Sequence, residues 1–301
     1  MTQIDQKGIL KMKVKKAVIT AAGYGTRMLP ATKSMPKEML PIFDKPAIQY
    51  IVEECVHAGI TDILIVLSRG KHVVEDHFDR TPDLERQLEK SGKNDLCSEI
   101  VNIASMASIT YVRQSEQLGL GHAVLCARSF AEGEPFAVLY GDDVIVGSDP
   151  AVAQLCRAYE KYGKGVAGIR EVPTEDVIKY SSMKVSPLED GCFEISDMIE
   201  KPSREQIFSN YSILGRCVLP PEIFKILENT PYGRNNELQL TDAMKQLAVS
   251  SGMIGVDFTG TRYDMGNKLN ALQASIETCL ARPEFSEDLK KYIIDLAEKL
   301  K

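Results

Sequence analysis

Two uninterrupted apolar runs, Ala17-Val18-Ile19-Thr20 and Ile63-Leu64-Ile65-Val66-Leu67, bracket a stretch with helical periodicity. Runs of that length, β-branched and without polar alternation, predict strands buried on both faces. Between them Pro46 opens a helix whose apolar positions Ile48, Ile51, Val52, Cys55 and Val56 fall on one face, and Gly59 is placed to end it. Strand, helix and strand within residues 17–67 form a βαβ unit. Its crossover commits the chain to helices covering a mainly parallel sheet.

The alternation continues. Helical texture over 83–105 leads to a strand at 109–112, and a helix over 123–130 follows Gly119-Leu120-Gly121. A strand is predicted at 136–140, a helix from the Asp149-Pro150 cap to 162, and a strand at 166–169. Residues 183–200 then read as two short strands turning at Asp190-Gly191. A strand at 212–218 and helices over 238–249 and 286–301 complete the chain. The last helix carries Leu289, Tyr292, Ile293, Leu296 and Leu300 on one face, a stripe for packing on the body or against another subunit. The expectation is one α/β domain over 14–285 with a small antiparallel insertion. A polar extension over 1–13 precedes it, and the helix 286–301 packs on the same domain.

Composition narrows the class. The chain of 301 residues is 44% hydrophobic and 26% charged, ordinary for a globular protein. No window approaches the roughly 18 to 20 apolar residues of a membrane helix. The N-terminus lacks a signal-peptide core, so no membrane partner is expected. A net charge of −6 argues against nucleic acid as a partner and requires any phosphate site to concentrate positive charge locally. Seven cysteines without a Cys-x-x-Cys pair suit a reducing, cytoplasmic setting.

Four segments could carry chemistry. Ala21-Ala22-Gly23-Tyr24-Gly25-Thr26-Arg27-Met28-Leu29-Pro30, with Lys33, Lys37 and Glu38 beyond it, follows the first strand directly. Ligands of open α/β sheets bind there, glycines admit a close backbone approach, and Arg27 and Lys37 suit phosphate. A dinucleotide turn would need Gly or Ala where Met28 stands and a helix where Pro30 stands. Gly141-Asp142-Asp143 closes another strand and could hold Mg²⁺ or serve as an ordinary Asp-rich turn. Glu200-Lys201-Pro202 could grip a polyol and its phosphate or be an exposed charged pair before a turn. Asp264, in Tyr263-Asp264-Met265-Gly266, reads equally as a second metal ligand or a cap.

Taken together, the string from Ala22-Gly23 through Gly25-Thr26-Arg27-Met28-Leu29-Pro30-Ala31-Thr32-Lys33 to Pro36-Lys37-Glu38-Met39-Leu40-Pro41 resembles the opening signature of the bacterial UTP–glucose-1-phosphate uridylyltransferases. The likeness continues at Gln49-Tyr50, Arg113-Gln114, Leu118 to Ala123, Asp142, Glu200-Lys201-Pro202, Gln239 to Ala243 and Tyr263-Asp264, nearly the whole chain. The resemblance implies a Rossmann-like mixed sheet of the nucleotide-diphospho-sugar transferase type, with UTP and glucose 1-phosphate as substrates. It implies that Ala22 and Gly23 contact the nucleotide, with Glu38, Gln114 and Gly119 around the uracil. Arg27 and Lys37 would stabilise the triphosphate, and Asp142, with Asp264, would hold Mg²⁺. Glu200 would bind sugar hydroxyls, Lys201 the phosphates, and the chain would form a homodimer or homotetramer.

One departure from the family pattern is Tyr180-Ser181, where these enzymes usually carry Tyr-Gly near the sugar. The alternatives are a related nucleotidyltransferase for another base or sugar and a non-catalytic regulatory paralogue. Such paralogues tend to lose the Gly-Thr-Arg that is intact here at 25–27.

Overall fold

The βαβ unit supplies the second and third strands, counted from one edge, of a nine-stranded sheet. The computed structural model describes residues 13–301, so the polar extension predicted over 1–13 lies outside the described residues except for Lys13. In chain order the sheet strands are β1 (Lys16–Thr20), β2 (Asp62–Leu67), β3 (Ser108–Arg113), β4 (Phe136–Tyr140), β5 (Gly165–Glu171), β6 (Ser181–Pro187), β7 (Cys192–Glu200), β8 (Tyr211–Leu219) and β9 (Met253–Asp257). Their spatial order is β3-β2-β1-β4-β8-β5-β9-β7-β6. The first four are parallel, as is the pair β5–β9, while β8 runs antiparallel to both β4 and β5. The predicted insertion is the antiparallel pair β6–β7, joined where Asp190 (φ 56°) and Gly191 (φ 68°) both adopt the left-handed backbone that tight hairpins need.

Helices cover both faces, and the strands are apolar throughout for that reason. In β1, Ala17 and Ile19 pack with Ile48, Ile51 and Cys55 of the helix Ala47–His57, while Val18 packs on the opposite face with Ala123, Val124 and Phe136. Beneath the first face Arg216 of β8 is fully buried and grips Glu54 of that helix, with Nη2 2.6 Å from Oε2. Glu54 Oε1 also accepts from Val152 N at 2.9 Å, at the start of the helix Ala151–Tyr162. One carboxylate thus joins a strand and two helices.

Helices at His72–Phe78, Glu222–Asn229 and Lys268–Leu280 stand where the sequence predicts none, and three others differ from expectation in their bounds. The stretch 83–105 is two helices, Pro82–Lys90 and Asn94–Ser105, with Gly92 (φ 69°) between them. The helix expected over 123–130 starts earlier and divides into Leu120–Leu125 and Arg128–Ala131. The terminal helix, Pro283–Lys299, packs on the helix Lys268–Leu280 and sets Phe285 edge-on to Phe43 at 5.1 Å between ring centres. Its Tyr292, Leu296 and Leu300 stay exposed.

A separate two-stranded ribbon gathers three aspartates at one end of the sheet. Asp143–Val146 pairs antiparallel with Thr261–Asp264, placing Asp264 opposite Asp143, and Met265 N donates to Asp142 O at 2.8 Å. Aspartates from distant parts of the chain therefore meet beyond the carboxyl end of β4.

Candidate active site

The strands β1 and β4 pair in parallel, with Thr20 opposite Tyr140, so the segments that leave them start side by side. Gly141 N donates to Thr20 O at 3.0 Å, and a Cβ on Gly141 would lie 2.8 Å from that oxygen, so only glycine allows the approach. Between these segments opens a cleft of about 320 Å³, lined by Ala22, Gly23, Lys37, Gln114, Gly119 and Asp142 among others. Six residues singled out from sequence therefore meet in one cavity.

Lys37 reaches the cleft because the chain doubles back beneath the glycine loop. Gly25 takes φ 68°, Thr32 Oγ1 donates to Gly25 O at 2.8 Å, and a Cβ on Gly25 would stand 3.2 Å from Lys37 Cβ. The ammonium of Lys37 donates to Asp142 Oδ2. Burial opposes the charge on Lys37, but Asp142 and Glu38 outweigh it and raise its pKa. Burial likewise works against the Asp142 carboxylate, and Lys37 and Arg27 together hold it below its ordinary value. Arg27, two-thirds exposed, spans both aspartates, with one guanidinium nitrogen 3.8 Å from Asp142 Oδ2 and another 3.7 Å from Asp264 Oδ2. Asp264 Oδ1 accepts from Gly266 N at 2.8 Å, which fixes the carboxylate.

Asp142 and Asp143 part company. Asp143 is buried and bound by Arg262 through two bonds of 2.6 and 2.8 Å. Desolvation raises its pKa against the pull of that guanidinium. It serves the ribbon, leaving Asp142 as the carboxylate of the cleft.

A second cavity, about 110 Å³, adjoins the first and shares Leu120 and Tyr140 with it. Tyr180, Ser181, Glu200 and Thr241 lie on its other sides. Glu200 Oε2 accepts from Thr241 Oγ1 at 2.8 Å, and burial raises the Glu200 pKa. The Ser181 hydroxyl accepts from Ile213 N at 3.0 Å, so the side chain in place of the usual glycine is tied into β8. Lys201 follows Glu200 with φ 44°, is exposed, and lines neither cavity.

Glu38 corrects an expectation. It does not line the cleft; it is fully buried and receives the Lys71 ammonium at 2.7 Å, which also donates to Ala21 O at 2.5 Å. Burial raises the Glu38 pKa and lowers that of Lys71. The pair supports the glycine loop from below. Conversely, Thr20, Gln117, Tyr140 and Glu237 line the larger cavity although nothing in their local sequence singled them out, and Thr241, inside the likeness at 239–243 but given no role there, lines the smaller. Gln117 Nε2 donates to Ala22 O at 2.9 Å and so holds the loop that would face the nucleotide. Thr20 and Tyr140 are the last residues of their strands, which is the one signal that would have found them.

Among known proteins, the family model described as nucleotidyl transferase matches residues 16–279. The chain belongs to the nucleotidyl transferase family. Within the family it sides with the UTP–glucose-1-phosphate uridylyltransferases. It is 48% identical to one from Bacillus subtilis over 96% of this chain and 98% of that protein. It is 49% identical to another from Staphylococcus epidermidis over 94% and 99%. A crystal structure of UDP-glucose pyrophosphorylase complexed with UDP-glucose superposes with a TM-score of 0.81 at 42% identity, covering 89% of this chain and all of that one. The UTP-bound enzyme from Acinetobacter baumannii gives 0.87 at 38% identity, over 94% and 99%. The mixed, mostly parallel sheet with flanking helices is the fold of this family.

Proposed function

We propose that this chain transfers the uridylyl group of UTP to α-D-glucose 1-phosphate, giving UDP-glucose and pyrophosphate. The observation that carries the reading is the pair of adjoining cavities divided by Leu120 and Tyr140, with Lys37 and Asp142 in the larger and Glu200 in the smaller. Relatives of closely similar length carry this activity in their names, and related structures hold UDP-glucose or UTP.

The chemistry asks little of acid–base groups. The second pKa of a phosphate monoester is about 6, so the sugar phosphate arrives mostly as a dianion. One of its oxygens forms the new bond to the α-phosphorus of UTP. The bond from that phosphorus to the bridging oxygen breaks, and pyrophosphate leaves in line with the electron pair. No proton need move. The difficulty is bringing one anion onto another, so the protein's part is positioning and charge neutralisation. Lys37 and Arg27 supply positive charge beside the triphosphate. Lys201 supplies it beside the sugar phosphate, and Glu200 accepts from sugar hydroxyls. Ala22 and Gly23 offer backbone to the nucleotide, and Gln114 and Gly119 bound the base.

The donor set suits Mg²⁺. Asp142 and Asp264 present carboxylate oxygens on either side of one guanidinium, and hard oxygen donors of one or two carboxylates plus phosphates are what that ion takes. Among the described residues no group of three or more His, Cys, Asp or Glu could hold a metal, so substrate oxygens would complete its shell. When bound, the ion would offset phosphate charge.

We place the enzyme in the cytoplasm, a setting that suits its seven free cysteines, and as a homodimer or homotetramer. The exposed Tyr292, Leu296 and Leu300 of the last helix are what another copy would cover. Sedimentation tests the assembly. Among the described residues no helix is long and apolar enough to cross a membrane.

Pyrophosphate release from UTP, Mg²⁺ and glucose 1-phosphate, with dTTP and galactose 1-phosphate in parallel, tests the activity. Fast release with the first pair alone is the expected result. Folded protein that binds UDP-glucose but releases nothing would replace this reading with a regulatory paralogue.

A further inference from the structure

Gln114 continues β3, its N–H donating to Leu67 O at 2.8 Å, and its side chain lines the larger cleft while being almost fully buried. Its Nε2 lies 3.0 Å from Gly119 O and 3.0 Å from His122 Nδ1. The first contact fixes the amide. A carbonyl oxygen can only accept, and the reversed amide would set two oxygens against each other at that distance. With one amide hydrogen on Gly119 O, the other points at His122 Nδ1. That nitrogen therefore accepts, and the imidazole carries its proton on Nε2. The remaining polar atom of Gln114, Oε1, receives no hydrogen bond from the described residues. An acceptor with a predetermined orientation is left for whatever enters beside Gln114.

We propose that His122 is the positioning residue that sets which pyrimidine the cleft accepts, acting through the Gln114 amide. The inference rests on the uridylyl-transfer reading of the cleft. Uracil offers an N3–H donor on its hydrogen-bonding edge, whereas cytosine offers a bare N3 acceptor. Oε1 pairs with the first and faces the lone pair of the second. Thymine shares the N3–H, so this device separates uracil and thymine from cytosine and leaves uracil against thymine to other contacts. His122 is not among the residues that line the cleft. It stands behind Gln114 on the short helix Leu120–Leu125, held in register where Gly121 N donates to Leu238 O at 2.8 Å. Without Nδ1, one hydrogen bond fewer opposes rotation of the amide.

The test compares His122→Phe and His122→Leu, which lack the acceptor, with His122→Asn, whose Oδ1 can stand near the place of Nδ1. Values of kcat/KM are measured with UTP, dTTP and CTP, alongside dissociation constants for UDP and CDP by calorimetry. In the first two variants the UTP-over-CTP preference should fall by about tenfold, the worth of roughly one hydrogen bond. The UTP-over-dTTP ratio and the KM for glucose 1-phosphate should hold, and His122→Asn should retain most of the preference. In a Gln114→Leu background the His122 substitutions should change the ratio no further. A merely structural His122 would lower all three nucleotides in proportion, and that result, or no change at all, overturns the proposal. The binding arm separates the two readings. Wild-type protein that turns over no UTP but binds UDP more tightly than CDP, with the preference lost in His122→Phe, sinks the activity and keeps the inference. Equal binding of UDP and CDP by the wild type sinks the inference.

Discussion

The Lys37 ammonium rests on Asp142 Oδ2, joining residues 105 positions apart across the gap between the chain segments that leave β1 and β4. The carboxylate we propose as a metal ligand is thus paired with a protein cation, and each group keeps the other charged. Lys37→Met should abolish most turnover yet strengthen divalent-metal binding by the nucleotide-free protein, because a competing cation is gone. Titration with Mn²⁺ read by electron spin resonance checks the second half. Weaker metal binding in this variant would mean that Lys37 helps rather than competes.

Removing Asp142 should act on rate and metal together. Asp142→Asn keeps the shape of the side chain but leaves Lys37 without its counter-charge. The Mg²⁺-dependent rate should vanish, and stability should drop by about 1–3 kcal/mol for the unpaired, largely buried ammonium. Full Mg²⁺ activation in the purified variant would remove Asp142 from the site.

Arg27 and Lys201 are exposed, so their loss should cost function and not folding. Arg27→Ala and Lys201→Ala should melt within about 1–2 °C of the wild type, as surface substitutions do. Their kcat should fall by roughly 10²–10³-fold if each meets charge that develops in the transition state. Near wild-type rates in both would count against the mechanism.

Glu200 should give the site a pH dependence. Burial raises its pKa, and the Thr241 hydrogen bond opposes that rise by favouring the charged form. A raised carboxyl takes up its proton sooner on acidification and loses the charge that makes it a strong acceptor. The KM for glucose 1-phosphate should therefore climb as pH falls through the raised value. Thr241→Val should move that climb to higher pH, and Glu200→Gln should flatten it. Steady-state KM profiles across mildly acidic pH decide the matter, and an identical profile in all three proteins would rule Glu200 out as its source.

The buried pair Glu54–Arg216 should behave unlike any surface pair. Glu54→Leu alone strands a fully buried guanidinium and should cost about 3–5 kcal/mol in denaturant unfolding. Replacing both partners by apolar residues of similar volume should recover much of that loss.

The apolar strands, the βαβ unit and the Asp190-Gly191 hairpin were legible because each is written in neighbouring residues. The same holds for the cleft lining of Ala22, Gly23, Lys37, Gln114, Gly119 and Asp142, although several of those roles came through family resemblance. What escaped was set by partners far away in the chain. Nothing local distinguishes Asp142 from Asp143; Arg262, 119 positions on, claims the latter. Glu38 looks like a loop carboxylate until Lys71 is seen beneath it. Thr241 is one helix residue among many until β7 brings Glu200 beside it. The break near Gly92 does carry a local signal, since residues 89–95 hold no apolar side chain and Gly92 takes φ 69°.

Leu120 and Tyr140 belong to both cavities, so the two compartments have one wall in common. An occupant of one that shifts either side chain alters the surface met by the other, and thermodynamic linkage makes such an influence equal in both directions. A substitution at either partition residue that changes how strongly one guest favours the other must change the reverse influence by the same factor.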